Sequence, residues 1–194
     1  MADRLIQLLE EVRRCTLCEP MLPLGARPVI RAASTARLLI IGQAPGTRVH
    51  KSGVPWDDLS GERLRDWLGL TSERFYDTRQ IAIMPMGLCY PGRGRGGDLP
   101  PRPECAPTWH ERVRAELPDL QLTLLIGQYA QRYYLPHRRA SLTENVRHYA
   151  DALPHWFPLP HPSPRNRRWL QQRPWFEAEV VPVLRRRVHE VLNA

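Results

Sequence analysis

Short apolar runs, each ended by glycine or proline, alternate along this chain with segments of helical periodicity. The clearest runs are 37–41, 80–84 and 122–126, and a weaker one covers 155–159. Runs this short and this apolar are typical of strands buried on both faces, and the stretches between them are long enough for crossover helices. The sequence therefore predicts an α/β protein, a three-layer α/β/α sandwich with a central, mostly parallel four-stranded sheet.

The segments between the runs supply the helices. Apolar residues recur at helical spacing from Leu5 to Val12, which predicts an amphipathic helix ahead of the first cysteine pair. Further helices are predicted to begin at Ser60, Cys105, Thr143 and Pro174, the last with a kink at Pro182, and an irregular loop rich in Gly, Pro and Arg is predicted over 87–103. Because no repeat or linker divides the chain, residues 1–194 are predicted to form one domain.

The chain is basic, and arginine supplies nearly all of the positive charge. It has a formal net charge of +8, with Lys51 as its sole lysine. Such a charge favours an anionic partner, with nucleic acid as the leading candidate, although a solvated basic face is the alternative. Arginines within 92–95 and 165–168 are predicted to contact phosphates. No apolar run approaches the length of a membrane span, so no membrane partner is predicted.

The four cysteines of the chain fall into a pattern that is typical of metal binding. Cys15 and Cys18 form a C-x2-C pair, while fifteen residues separate Cys89 from Cys105. Two thiolates at the first spacing reach the same side of the chain and can bind one metal centre. Because the second pair is not a tight knuckle, an iron–sulfur cluster is favoured over zinc.

Two other uses of the cysteines remain open from the residues alone, a secreted disulfide framework and four unrelated core thiols. The first ten residues are polar and amphipathic, without the apolar segment of a signal peptide. Disulfide pairing is therefore disfavoured, and a cytoplasmic location is expected.

Three unusual segments follow predicted strands. They are Gly42–Gly46, Pro85–Pro91 and His161–Asn166. In an open parallel sheet, ligands bind beyond the carboxyl ends of the strands. The coincidence of three such segments therefore predicts a binding site at that edge of the sheet.

Particular residues of these segments favour particular roles. The turn at Gly42 lets backbone N–H groups approach a ligand closely, although a plain strand-to-loop turn is the alternative. His161 stands between two prolines, which aims its imidazole, whereas a lone histidine is more often structural. Trp56 follows a stiff Gly-Val-Pro turn and is placed to stack on a flat base, unless it packs in the core.

These residues together resemble the uracil-DNA glycosylase superfamily, and over nearly the full length the framework is similar to the iron–sulfur family-4 enzymes. The matching motifs are Cys15-x2-Cys18, Gly42–Gly46, Gly53–Trp56, Cys89, Cys105, Leu125–Gly127 and His161–Ser163. The longer motif His161–Asn166 is more similar to that of the single-strand-selective monofunctional uracil-DNA glycosylases.

The resemblance implies a monomeric DNA repair glycosylase. Such an enzyme flips a deaminated base, uracil foremost, out of single- or double-stranded DNA and hydrolyses its N-glycosidic bond. The resemblance also implies a [4Fe–4S] cluster held by Cys15, Cys18, Cys89 and Cys105. A cytoplasmic, nucleoid-associated protein is expected.

The resemblance assigns roles at the site as well. His161 and Gln43 are the implied catalytic residues, with His161 donating to the departing base and Gln43 assisting. The implied substrate-binding residues are Gly42, Ala44, Trp56, which stacks on the base, and Arg165, which fills the gap left in the duplex.

Two positions depart from the family-4 pattern. Gln43 stands where those enzymes usually carry glutamate, and an amide orients water but cannot act as a general base at neutral pH. The asparagine that usually reads the base is absent from residues 84–87, and His50, Asp57 and Asp58 are the nearby groups that could activate water. A catalytically weak or inactive iron–sulfur DNA-binding module is therefore the alternative function, and an unrelated redox protein is a further one.

Overall fold

A four-stranded parallel sheet forms the centre of the molecule, which confirms the predicted fold class. The computed structural model describes residues 2–194, with side chains from residue 4 onward. Its strands are β1 (Leu38–Ile41), β2 (Ile81–Ile83), β3 (Arg93–Gly94), β4 (Gly97–Asp98), β5 (Leu122–Ile126) and β6 (Trp156–Leu159). The central sheet has the order β2-β1-β5-β6 and every pairing in it is parallel, while β3 and β4 form a separate antiparallel hairpin. The hairpin lies in the loop that the sequence predicted to be irregular.

Helices connect the strands and cover both faces of the sheet. They are α1 (Ala2–Arg13), α2 (Thr47–Ser52), α3 (Leu59–Leu68), α4 (Ser72–Phe75), α5 (Cys105–Ala115), α6 (Gln128–Tyr134), α7 (Leu142–Arg147), α8 (Arg167–Gln171) and α9 (Val181–Asn193). Short 3₁₀ turns occupy Glu19–Met21, Tyr149–Ala152 and Pro164–Asn166. Among residues 2–194, no helix has the length and apolar character that crossing a membrane requires.

Alternate residues of the central strands pack into two separate cores. In β1, Leu38 and Ile40 pack with the apolar faces of α3 and α9, while Leu39 and Ile41 pack with those of α1 and α5. All four side chains are fully buried. Because successive side chains of a strand point to opposite faces, an uninterrupted apolar run requires cover on both sides. The three layers follow from that requirement.

The starts of α3 and α7 each differ from the prediction by one residue. The N-cap of α3 is Asp58, whose Oδ1 accepts the Gly61 N–H at 2.9 Å, so the helix begins ahead of Ser60. Ser141 caps α7 in the same way, one residue earlier than Thr143 would have required. Aspartate and serine are both good N-caps, and the sequence alone does not decide between neighbours.

The break predicted at Pro182 takes a different form from a kink within one helix. Residues Phe176–Val180 are π-helical, and α9 begins directly after them at Val181. Pro182 is the second residue of α9 and closely follows the π-helical residues, and as a proline it lacks an N–H that could donate back into them. The geometry of the helix changes before the proline and not at it.

Candidate active site and cysteine cavity

A large pocket opens at the carboxyl edge of the central sheet, and we call it the edge pocket. It has a volume of about 840 Å³. Its lining comes from the segments that follow all four central strands, namely Gly42–Gly46 after β1, Pro85 after β2, Gly127 and Gln128 after β5, and Pro160, His161, Ser163 and Arg165 after β6. The three segments predicted to meet at this edge therefore do meet there.

Trp56 forms one wall of the edge pocket, and its backbone is strained. It has φ 58°, a left-handed conformation that a bulky residue seldom adopts. Two glycines make room for it, because a Cβ on Gly42 would lie 2.7 Å from the indole and one on Gly61 would lie 1.8 Å from the Trp56 carbonyl oxygen. Arg65 also donates to that oxygen at 3.3 Å. Strain that neighbouring residues enforce in this way is characteristic of functional sites.

The imidazole of His161 is held in one orientation and one tautomer. The Ser163 N–H donates to Nδ1 at 3.2 Å, and the Asn166 amide donates to the His161 carbonyl oxygen at 2.7 Å. With Nδ1 accepting, the neutral ring carries its proton on Nε2, and among the described residues no group accepts from that atom. The ring lies 5.5 Å from the indole of Trp56, centroid to centroid. The edge pocket thus contains an aromatic face beside an aimed N–H donor.

His161 is neutral at physiological pH. Burial lowers its pKa from 6.5 to about 4, because the charged imidazolium is poorly solvated there, while the negative charge of Asp58 acts in the opposite direction. A neutral imidazole donates a hydrogen bond without bringing a positive charge into the site.

Gln43 lies in the edge pocket, but one end of its amide is already engaged. Its Nε2 donates to the Leu99 carbonyl oxygen at 3.2 Å, so Oε1 is the end left to meet a ligand or water. The backbone of the same turn is hydrogen-bonded to the segment that follows β2, since the Met86 N–H donates to the Gly42 carbonyl and the Gly87 N–H to the Gln43 carbonyl, both at 2.9 Å. Sequence reasoning missed Leu99, which is distant in the chain and carries no polar side chain.

Arg165 contacts the β3–β4 hairpin across the mouth of the edge pocket. Its Nη1 donates to the Gly96 carbonyl oxygen at 3.0 Å. A Cβ on Gly97 would lie 1.9 Å from that nitrogen, so the absence of a side chain there permits the contact. To enter a duplex, Arg165 must leave this position.

One of the three groups considered for activating water lines the edge pocket. Asp58 does so, while Asp57 pairs with Arg48 at 3.5 Å. His50 does not line the pocket, and its ring lies 6.1 Å from that of Tyr90. The lining also includes residues that sequence reasoning missed, namely Asp98, Gln128, Thr143 and Trp169.

All four cysteines line a second, smaller cavity, which we call the cysteine cavity. Its other walls are mostly apolar, and every one of the four thiols is free. The Leu88 N–H donates to the Cys105 sulfur at 3.3 Å. Burial raises the pKa of Cys89 to about 11 and that of Cys105 to about 12, so neither thiol is a nucleophile at neutral pH. Within the described residues, no three His, Cys, Asp or Glu side chains form a ligand group for a metal ion.

A short segment links the cysteine cavity to the edge pocket. Pro85 lines the pocket and Cys89 lines the cavity, four residues further along the chain. The Pro85 carbonyl oxygen accepts from Nε2 of buried His110 at 3.1 Å, and Nδ1 of that ring lies 2.6 Å from the Tyr134 hydroxyl. Burial lowers the pKa of His110 to about 4, which keeps the ring neutral in this chain of hydrogen bonds. A structural change at Cys89 is therefore expected to reach the wall of the edge pocket at Pro85.

The fold and the edge pocket define an α/β protein that binds its ligand beyond the carboxyl ends of a parallel sheet. A family model for the uracil DNA glycosylase superfamily matches residues 30–185. The chain belongs to that superfamily, whose members are glycosylases that act on DNA. The match confirms the resemblance of the sequence to the superfamily as a whole.

Proposed function

We propose that the protein is a monofunctional DNA glycosylase that turns a deaminated base, uracil foremost, out of a DNA strand and hydrolyses its N-glycosidic bond. The observation that carries the proposal is the neutral, oriented His161 beside Trp56 in the edge pocket. A base must leave the helical stack before its sugar bond becomes accessible, and a flat aromatic wall stabilises it once it is out. We further propose that the protein belongs with the iron–sulfur family-4 branch and acts as a cytoplasmic monomer.

Bond breaking places negative charge on the departing base, and the sugar develops positive charge. The Nε2–H of His161 is suited to stabilise the negative charge on the base, together with backbone N–H groups of the turn at Gln43 and Ala44. The carboxylate of Asp58 is suited to stabilise the positive charge on the sugar and to accept a proton from the attacking water. The Gln43 amide orients that water through Oε1. The leaving base then takes up a proton from solvent.

Recognition of the base differs from the usual family-4 arrangement. Pro85 lines the edge pocket in the segment where those enzymes carry asparagine, and a proline ring offers no hydrogen bond to the base. The protein therefore lacks one directed hydrogen bond to the base, and we expect it to discriminate less between uracil and other deaminated bases than the family-4 enzymes do.

We propose that the cysteine cavity holds a [4Fe–4S] cluster. Four free thiols line one cavity with mostly apolar walls, and the Leu88 N–H donates to the Cys105 sulfur, which supports the proposal. Such a cluster would take four cysteine thiolates, and the cavity offers four. Cys15, Cys18, Cys89 and Cys105 would hold the group, and its contribution there is to fix the end of α1 against the 87–105 segment.

A cleavage assay tests the proposed function. Single- and double-stranded oligonucleotides with one uracil, hypoxanthine or xanthine are incubated with the protein, treated with alkali and separated on a gel. Cleavage at the modified position, and none in the undamaged oligonucleotide, is the expected result. If all the modified strands are bound and none is cleaved, the non-catalytic DNA-binding module replaces this proposal; the engagement of the Gln43 amide by Leu99 is the observation that favours it.

The rate of base release is expected to show no inflection near pH 6.5. The pKa of His161 is about 4 in the fold, so the ring stays neutral from pH 8 down to about pH 5. This folded pKa lies below the ordinary 6.5, so the stability that neutral His161 contributes is complete above pH 6.5 and is lost as the pH falls towards 4. Single-turnover rates and melting temperatures across pH 4–8 measure both effects. An inflection near pH 6.5 that disappears in His161→Gln would contradict the assignment.

Gly42→Ala is expected to lower kcat/KM by about ten- to a hundredfold, because the new Cβ would overlap the indole of Trp56. A misplacement of about 1 Å in a group that positions the substrate can cost about a hundredfold in rate. Gly46→Ala is the matched control in the same turn, since its Cβ would meet only Asp98 at an ordinary 3.5 Å. Equal kcat/KM values for the two variants would show that the position of the indole is unimportant.

A further inference from the structure

A third cavity adjoins the edge pocket and is lined by three arginines, so we call it the arginine cavity. Its volume is about 560 Å³, and the arginines are Arg132, Arg138 and Arg139. No aspartate or glutamate is among the described residues that line it. Gln128, Ser141 and Leu142 line both this cavity and the edge pocket, so the two lie side by side.

Buried amides fix the segment that carries the arginines. The Arg139 N–H donates to Oδ1 of Asn145 at 2.7 Å, and the Asn145 amide donates to Oε1 of Gln131 at 3.1 Å. Gln131 in turn donates to the carbonyl oxygens of Leu125 at 3.3 Å and Leu159 at 2.9 Å. Both amide side chains are buried, Gln131 at 1% and Asn145 at 8% exposure. These hydrogen bonds fix the segment 132–139, which carries the arginines, against the ends of β5 and β6. The edge pocket is built from the same strand ends.

Two of the three arginines carry charge that the protein does not neutralise. Arg139 pairs with Asp151 at 2.5 Å. Among residues 4–194, neither Arg132 nor Arg138 forms an ion pair, and both are exposed. Two free guanidinium groups in an open, acid-free cavity favour an anionic ligand, and their planar donor sets match phosphate oxygens.

We propose that the arginine cavity binds the backbone phosphates of the DNA strand next to the nucleotide that enters the edge pocket, with Arg132 and Arg138 as the ionic contacts. The inference rests on the proposed function. A flipped nucleotide stays covalently joined to its neighbours, so the strand must leave the edge pocket through an adjoining space. The arginine cavity is such a space, and its positive charge is complementary to the negative charge of a phosphodiester.

Salt-dependent DNA binding tests the inference. The probe is a fluorescent single-stranded oligonucleotide that contains one 2′-fluoro-deoxyuridine, whose glycosidic bond resists cleavage. Arg132→Gln and Arg138→Gln are each expected to weaken binding several-fold and to reduce the log–log salt slope by about 0.7, the value for one phosphate contact on a single strand.

The matched control is Arg79→Gln, which removes the same charge. Arg79 is exposed and lies just ahead of β2, at the opposite edge of the sheet, where it pairs with Asp77 at 2.9 Å. Affinity and salt slope are expected to stay at the parent values in this variant. If the cavity variants behave like Arg79→Gln while the parent binds DNA, the arginine cavity is not a phosphate site and the proposed function is unaffected.

Neutral phosphate analogues locate the contact. A set of probes, each with one methylphosphonate, is expected to show a loss of affinity at one or two positions on a single side of the fluorinated nucleotide. In Arg138→Gln, the same substitution should cause no further loss at that position, because its partner is gone. Additive losses at every position would overturn the inference. Absence of DNA binding by the parent protein would overturn the proposed function and this inference with it.

Discussion

His161→Ala is expected to slow base release by about a hundred- to a thousandfold, the usual cost of removing one preorganised donor from a site of developing negative charge. The ring is neutral, carries its proton on Nε2 and is fixed through Ser163 and Asn166, so it needs no reorganisation during the reaction. Single-turnover cleavage of a uracil-containing oligonucleotide measures the change. The affinity for DNA and the visible absorption spectrum of the proposed cluster are expected to match those of the parent.

Gln43→Ala serves as the comparison for His161→Ala. It removes an amide that is expected only to orient water, so its effect on base release should be smaller. Gln43→Glu restores the carboxylate of the family-4 enzymes but loses the donor to the Leu99 carbonyl. Any gain in rate therefore has to exceed the cost of loosening the hairpin segment. If His161→Ala cleaves as fast as the parent, the proposed mechanism is wrong.

Cys89→Ser is expected to abolish cluster binding and to lower the melting temperature strongly. Purified parent protein should be brown and carry about four irons per chain, as the cluster type requires. A metal site that joins distant segments contributes its binding free energy to folding, so its loss destabilises the whole chain. Because Pro85 and Cys89 belong to one short segment, the edge pocket should be disordered as well. Iron content, visible absorption and thermal unfolding measure these effects.

Two further variants separate loss of the cluster from general damage. Cys15→Ser removes a proposed ligand just after α1, where the side chain is only partly buried, and should lose iron and lower the melting temperature as Cys89→Ser does. Leu22→Val changes the cavity wall without removing a thiol and should keep its iron. Stoichiometric zinc in colourless protein from anaerobic, iron-replete cells would exclude the cluster. Full iron content in Cys15→Ser and Cys89→Ser would exclude these cysteines as ligands.

The strands could be predicted because their side chains have only one stable environment. Leu38–Ile41 is apolar throughout and Leu122–Ile126 is apolar except for Thr123, and such runs must be covered on both faces wherever the chain places them. Helix starts were less certain, since Asp58 and Ser60 are both competent caps and the choice depends on what packs against the first turn. The hairpin in the 87–103 loop has strands of two residues each, too short for any period to appear.

Part of the candidate site could likewise be predicted from the sequence, and part could not. The sequence determined the chemical groups near the sheet edge, because Gly42, His161 and the cysteines follow strands or fit a ligand spacing whose meaning is local. The tertiary structure alone decided which groups meet across the chain. The Gln43 amide reaches Leu99, and the indole of Trp56 lies against Gly42 while its carbonyl lies against Gly61. Arg138 lines a cavity beside the pocket that His161 lines. These contacts join loops whose spacing in sequence carries no period, and they form only when the strands are packed side by side and their ends are brought within a few ångströms.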